Sequence, residues 1–124
     1  MMKKSKPANS SGKQAEAIAA NYLSKQGIKI IERNFHCRFG EIDLIGLTDQ
    51  YLVFIEVRYR KDEHYMTVFE TIDKHKCRKL VTTSEYYLNS HRKYQDMTCR
   101  YDVIGITGEI SDPAIEWIKN AFQA

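Results

Sequence analysis

Cysteine is scarce in this chain of 124 residues: there are three, and Cys37, Cys77 and Cys99 stand far apart. An odd, dispersed set makes neither a disulfide framework nor the close pairs of a zinc site, so the three read as reduced, partly buried thiols. The histidines His36, His64, His75 and His91 are equally scattered, and none has a second histidine four residues on, which removes the zinc-protease pattern. Gly105-Ile106-Thr107-Gly108 is too short to be a phosphate-cradling loop, and no Gly-x-Ser-x-Gly element marks an acyl hydrolase. No nucleotide cofactor is expected. No apolar run approaches the ~20 residues that span a bilayer, and no hydrophobic segment of the signal-peptide kind follows the lysine-containing start. Membrane attachment is therefore not expected, and the cytoplasm is the expected compartment. Charge of one sign is lacking too. The net value is +3, and with Lys3, Lys4 and Lys6 set aside, sixteen basic residues balance sixteen acidic ones. A nucleic-acid partner has to be argued from local clusters of Lys and Arg.

What is present is an ordinary globular composition, 43% apolar and 28% charged, in a length that suits one domain. Residues 1–11 are polar and basic with little apolar content, which predicts a flexible basic tail, with a single domain over 12–124. Ala15, Ile18, Ala19, Tyr22 and Leu23 recur at helical spacing, and Gly27 is placed to end that helix. Segments 28–35, 40–47 and 51–60 are rich in β-branched and aromatic residues and read as strands. Only Thr48, Asp49 and Gln50 separate the last two, so these must form an antiparallel hairpin. A second helix is predicted over 73–89, with Asp73 as N-cap and Cys77, Leu80, Val81, Ser84, Tyr87 and Leu88 facing inward. A fourth strand follows over 101–107, and 113–122 is open between strand and helix. The order predicts an α/β fold, a mixed sheet of about four to five strands flanked by helices.

Two acids stand where apolar strands should exclude them, Asp43 in Ile42-Asp43-Leu44-Ile45 and Glu56 in Phe54-Ile55-Glu56-Val57. If Asp49-Gln50 is a two-residue turn, Asp43 lies directly across from Glu56 on one face, about 5 Å away between Cβ atoms, with Arg58 two residues further on. Carboxylates that close repel, and a divalent cation relieves the repulsion. Magnesium fits such oxygen donors and leaves positions for water and phosphate oxygens. Glu16 lies about 90° round the first helix from the centre of its apolar stripe, at the border of the buried face, and Lys76 flanks the inner stripe of the second helix. Both can reach the same place. The plainer alternative is structural, with Asp43 and Glu56 in salt bridges to Arg58, Arg60 or Arg33.

Three long motifs then give a resemblance: Gly12-Lys13-Gln14-Ala15-Glu16, Phe39-Gly40-Glu41-Ile42-Asp43-Leu44-Ile45 and Val53-Phe54-Ile55-Glu56-Val57-Arg58-Tyr59-Arg60. Through these, and through weaker echoes at Lys76, Arg100-Tyr101-Asp102-Val103 and Glu116-Trp117-Ile118-Lys119, the chain resembles the YraN-like family of bacterial proteins, also called uncharacterised protein family 0102. The resemblance implies a restriction-endonuclease-like core. There an acid on the first helix, an aspartate on the second strand and a Glu-x-Lys element on the third build a site for Mg²⁺ or Mn²⁺, roles that fall here on Glu16, Asp43 and Glu56. One position departs from that pattern, because Arg58 stands where the lysine should be. Arginine stays charged and cannot accept a proton, although its fork of donors can stabilise charge on a phosphate, and Lys76 can take over the orienting of water.

The expected function is therefore nucleic-acid binding, DNA foremost, with a metal-dependent endonuclease-like phosphodiesterase site of Glu16, Asp43, Glu56, Arg58 and Lys76. Arg60, Lys61, Lys74, Arg78 and Lys79 are the expected phosphate contacts, and Tyr59, Tyr65 and Phe69 are candidates for stacking on unpaired bases. The alternative is an inactive nucleic-acid-binding or partner-docking module on a nuclease scaffold. A third reading is a structural interaction protein that uses the surface near Trp117.

Overall fold

The computed structural model describes residues 6–61 and 72–124, with side chains from residue 12 onward. Helix α1 (Lys6–Lys25) leads into strands β1 (Lys29–Cys37), β2 (Gly40–Leu47) and β3 (Tyr51–Arg60). Helix α2 (Lys74–Ser90), a short 3-10 turn (Arg92–Tyr94), β4 (Thr98–Thr107) and β5 (Ala114–Phe122) complete the chain. The second and third strands have the expected bounds. Helix α1 begins ahead of Gly12, and the undecided terminal segment is a strand.

The five strands form one mixed sheet in the order β1-β2-β3-β4-β5. Every neighbouring pair is antiparallel except β3 and β4, which are parallel because α2 lies between them in the chain. The helices cover opposite faces. Ala15, Ala19, Ala20 and Leu23 of α1 pack on Leu44, Val53, Ile55, Ile104 and Ile106, whereas Leu80 and Tyr87 of α2 pack on Ile42, Ile45, Leu52, Phe54 and Tyr101. The arrangement is consistent with a restriction-endonuclease-like core. Among the described residues no helix is long and apolar enough to cross a membrane.

The ends of the helices follow local chemistry. Gly27, at φ 95°, supplies the left-handed residue after α1. Asp73 caps α2, its Oδ1 accepting from the Lys76 amide at 2.9 Å. Gly40, at φ 150°, lets the tip of the β1-β2 hairpin lie directly on α2, because a Cβ there would stand 2.9 Å from Thr83 Oγ1. That hydroxyl is held by its own bond to the Lys79 carbonyl, at 2.8 Å. Gly40→Ala is accordingly expected to cost about 1–3 kcal/mol in urea unfolding, through strain and a forced shift of the hairpin tip.

Candidate active site

The predicted hairpin register holds. Leu44 pairs with Ile55, Ile45 with Phe54 and Leu47 with Leu52, and the Thr48 amide closes the turn by donating to the Tyr51 carbonyl at 3.0 Å. Continued one step, this register sets Asp43 opposite Glu56. The regular pairing stops just before that step, however, and β2 is irregular there. Ile42 and Ile45 both face α2 while Leu44 faces α1, so alternation slips within 42–45. Asp43 falls in the slip. Its Oδ2 accepts from the Val57 amide at 2.8 Å, a side chain standing in for the ladder bond that the parting strands give up.

Three carboxyl groups from three elements meet at this break. Glu56, on β3, is 6% exposed, and its carboxyl is in hydrogen-bonding contact with that of Asp43. Glu16, from α1, is in the same contact with Asp43 from the other side. Burial raises the Glu56 carboxyl to about 7, and repulsion from Asp43 adds to the effect against the opposing pull of Lys76 and Arg58. Burial also raises Asp43, where the Val57 amide pulls the other way. Glu16 is raised by burial and by the Asp43 charge. The contact lowers Asp43 and raises Glu56, and the pair as a whole binds a proton more tightly than two separate carboxylates would.

Two cations of the expected set converge on the same oxygen. Arg58 Nε is 3.4 Å from Glu56 Oε2 and Lys76 Nζ is 3.5 Å from it, with both cationic side chains about a third exposed. A cleft of about 420 Å³, lined by Gly12, Glu16, Asp43, Arg58, Tyr59 and Arg60 among others, opens beside them. Other expected contacts lie elsewhere. Lys61 is exposed and 3.9 Å from Glu109. Lys74 and Arg78 are exposed on the side of α2 turned from the sheet, about 160° round the helix from Lys76 and at least about 100° from Lys79. Tyr59 donates its hydroxyl to the Gly108 carbonyl at 2.9 Å and packs with the α1 cluster, whereas Tyr65 and Phe69 lie outside the described residues.

Asn34 is a member of the site that the strand pattern hides. It holds φ 55° in β1, between Arg33, which pairs with Leu44, and Phe35, which pairs with Ile42, and therefore stands beside Asp43. Its side chain hydrogen-bonds Glu16 and lowers that carboxyl against the other influences. Asparagine is among the few residues that tolerate a left-handed backbone, and that is the only sequence signal it offers.

Among the described residues no three His, Cys, Asp or Glu side chains are already arranged as the ligands of one metal ion. Mg²⁺ commonly takes only one or two carboxylates and fills its other positions with water and phosphate oxygens. Asp43 and one neighbouring acid fit that requirement. Burial is the first cause of their raised proton affinities and like-charge repulsion adds to it, and a cation would offset both.

Relatives share this chain over nearly its whole length. A protein of Psychromonas ingrahamii is 47% identical over 115 residues, 93% of this chain and 91% of its own. Others from Alcanivorax borkumensis and Coxiella burnetii are each 44% identical over 112 residues, covering 90% of this chain and about the same share of theirs. All three carry the description "UPF0102 protein". The family model of that description matches residues 15–106, a stretch that holds Glu16, Asn34, Asp43, Glu56, Arg58 and Lys76, and the chain belongs to Uncharacterised protein family UPF0102.

Proposed function

We propose that this protein is a metal-dependent phosphodiesterase acting on nucleic acid, with Asp43, Glu56 and Glu16 as the acids that hold Mg²⁺ or Mn²⁺. The observation that carries the reading is the meeting of three buried or half-buried carboxyl groups at a break in the β2-β3 pairing, where each keeps its proton more tightly than usual. A fold built for stability alone has little reason to gather three carboxyl groups in one place, where Lys76 and Arg58 offset the burial and repulsion at Glu56 only in part. A divalent cation, when bound, would supply positive charge to polarise a phosphate ester. The chain supplies the rest. Lys76 reaches the acids from α2 and can orient a water beside them. Arg58 and Arg60 border the cleft and can grip phosphate oxygens.

The test is incubation of purified protein with labelled single-stranded, duplex and branched DNA, and with RNA, in Mg²⁺ or Mn²⁺. Cleavage is expected, with Asp43→Ala and Glu56→Ala each lowering it at least about a hundredfold, as loss of an essential acid does. Cleavage that survives both substitutions belongs to a contaminant and removes the reading.

A second reading has one specific observation behind it, Arg58 at the position where the resembled pattern has lysine. On that reading the domain binds nucleic acid without turnover. Binding would weaken with salt, and no metal would elicit cleavage.

A further inference from the structure

We infer that the tip of the β1-β2 hairpin and the flank of α2 form a stacking platform for unpaired bases of a nucleic-acid strand that runs on from the acidic cleft. The inference rests on the proposed function and names the part of the substrate that function would require. Phe39 and Tyr86 are the two large hydrophobic side chains that stand exposed among the described residues, at 38% and 41%. They are not scattered. Their rings lie 5.9 Å apart although the residues are 47 positions apart in sequence, one at the hairpin tip and one on α2. The Arg38 guanidinium sits 4.9 Å from the Phe39 ring centre, so the exposed aromatic surface carries its own cation.

A lone exposed aromatic residue needs no explanation, but a pair joined to a cation and backed by lysines matches what a single strand needs: π faces for bases and positive charge for phosphates. The lysines follow from helix geometry. Lys76, Lys79, Thr83 and Tyr86 fall on one stripe of α2 at steps of three and four residues. Thr83 is buried under Gly40, which seats the hairpin tip there. Lys76 and Lys79 line a cavity of about 360 Å³ between α2 and the hairpin, with Glu41 as its acid and His36 3.5 Å from that acid. Lys76 stands at the acidic site and Tyr86 ten residues along the helix, about 15 Å away, the reach of roughly four stacked nucleotides. Duplex bases are already stacked on each other and leave no π face free for Phe39 or Tyr86, so the platform favours strands with unpaired bases.

Equilibrium binding in EDTA tests this without any cleavage, by fluorescence anisotropy of a short labelled oligothymidylate and of a duplex of the same length. The Phe39→Ala, Tyr86→Ala double variant is expected to lose at least about tenfold in single-strand affinity while duplex affinity changes less than about twofold. Phe39→Trp and Tyr86→Phe keep a ring and should keep binding, which separates stacking from misfolding. Arg38→Ala should lower the salt dependence of single-strand binding by roughly 0.7 in log-log slope, one phosphate contact. Equal losses for single strand and duplex, or an alanine variant that binds the oligothymidylate as tightly as the parent, would overturn the platform. Absence of turnover by the parent protein would instead count against the phosphodiesterase and leave this binding result to stand or fall by itself.

Discussion

Glutamine at position 56 is expected to make this protein more stable at pH 8 while it removes cleavage. Glu56 is 6% exposed, and its carboxyl is raised from the ordinary 4.5 to about 7, first by burial and then by Asp43. The folded chain therefore keeps a proton that the unfolded chain releases. Below pH 4.5 both states hold it and the native contact with Asp43 is fully in place. As pH rises from 4.5 through 7, the folded state comes to bear a buried charge, and stability worth about 3 kcal/mol is lost across that window. Asp43 and Glu16, both raised, push in the same direction. Glutamine has nearly the shape of the protonated acid and keeps a donor for Asp43, so Glu56→Gln should flatten the stability profile between pH 5 and 7. Its gain over the parent at pH 8 should approach about 3 kcal/mol, a figure that already includes the pull of Lys76 and Arg58 on the charged acid.

Urea unfolding of both proteins at pH 5 and pH 8 measures the gain, and a parallel nuclease assay measures the loss. A variant less stable than the parent at pH 8 would show that the ion pairs with Lys76 and Arg58 outweigh burial and repulsion. Glu56 would then be a structural acid. Added Mn²⁺ should raise the melting temperature of the parent more at pH 8 than at pH 6, since ligand binding must displace the shared proton, and should do little for Glu56→Gln.

Most of the frame behind this expectation was legible in the residues. The interval Thr48-Asp49-Gln50 admits only a tight hairpin, and that register carried Asp43 to Glu56. The inner stripes of both helices showed at helical spacing because each buries one face on the sheet. What stayed hidden depends on contacts between distant parts of the chain. Strict alternation puts Ile42 and Leu44 on one face, and only the slip around Asp43 separates them and opens the strands. Residues 113–122 carry no clean period, because Trp117 and Ile118 are adjacent apolar residues and β5 departs from strict alternation from there through Asn120, at φ 53°. Of the stacking candidates Tyr59, Tyr65 and Phe69, Tyr59 has its hydroxyl bound to Gly108, whereas the exposed rings of Phe39 and Tyr86 meet through the seating of Gly40 on Thr83, a contact that sequence spacing does not show. Lys74 and Arg78, close to Lys76 in sequence, turn away from it because 100° per residue carries them to the outer face of α2.

Asp102→Ala is expected to cost about 3–5 kcal/mol, the largest loss of any single substitution considered, although Asp102 is buried even more deeply than the acids of the cleft and lies next in β4 to the partner of Glu56. The difference lies in its donors. Arg100 Nε and Nη2 donate to its two oxygens at 3.0 and 2.9 Å, Trp117 Nε1 donates at 3.0 Å and the Asn120 amide at 2.9 Å. The bonds from Trp117 and Asn120 tie β4 to β5 at the point where Tyr101 and Val103 change register, and the Asn120 bond holds the left-handed turn there, while Arg100 neutralises the carboxylate from within β4. Removing the carboxylate leaves a half-buried guanidinium, an indole N–H and a backbone N–H without their acceptor, which is why the loss exceeds that of the bonds alone. Asp102→Asn should fall between parent and alanine, since it keeps one acceptor oxygen. Replacing Arg100 and Asp102 together by Met and Leu should cost less than the alanine substitution, because the buried cation goes with its partner. Urea unfolding of the three variants decides it. A loss below about 1 kcal/mol for Asp102→Ala would show that its donors find other acceptors and that this carboxylate does not hold β4 to β5.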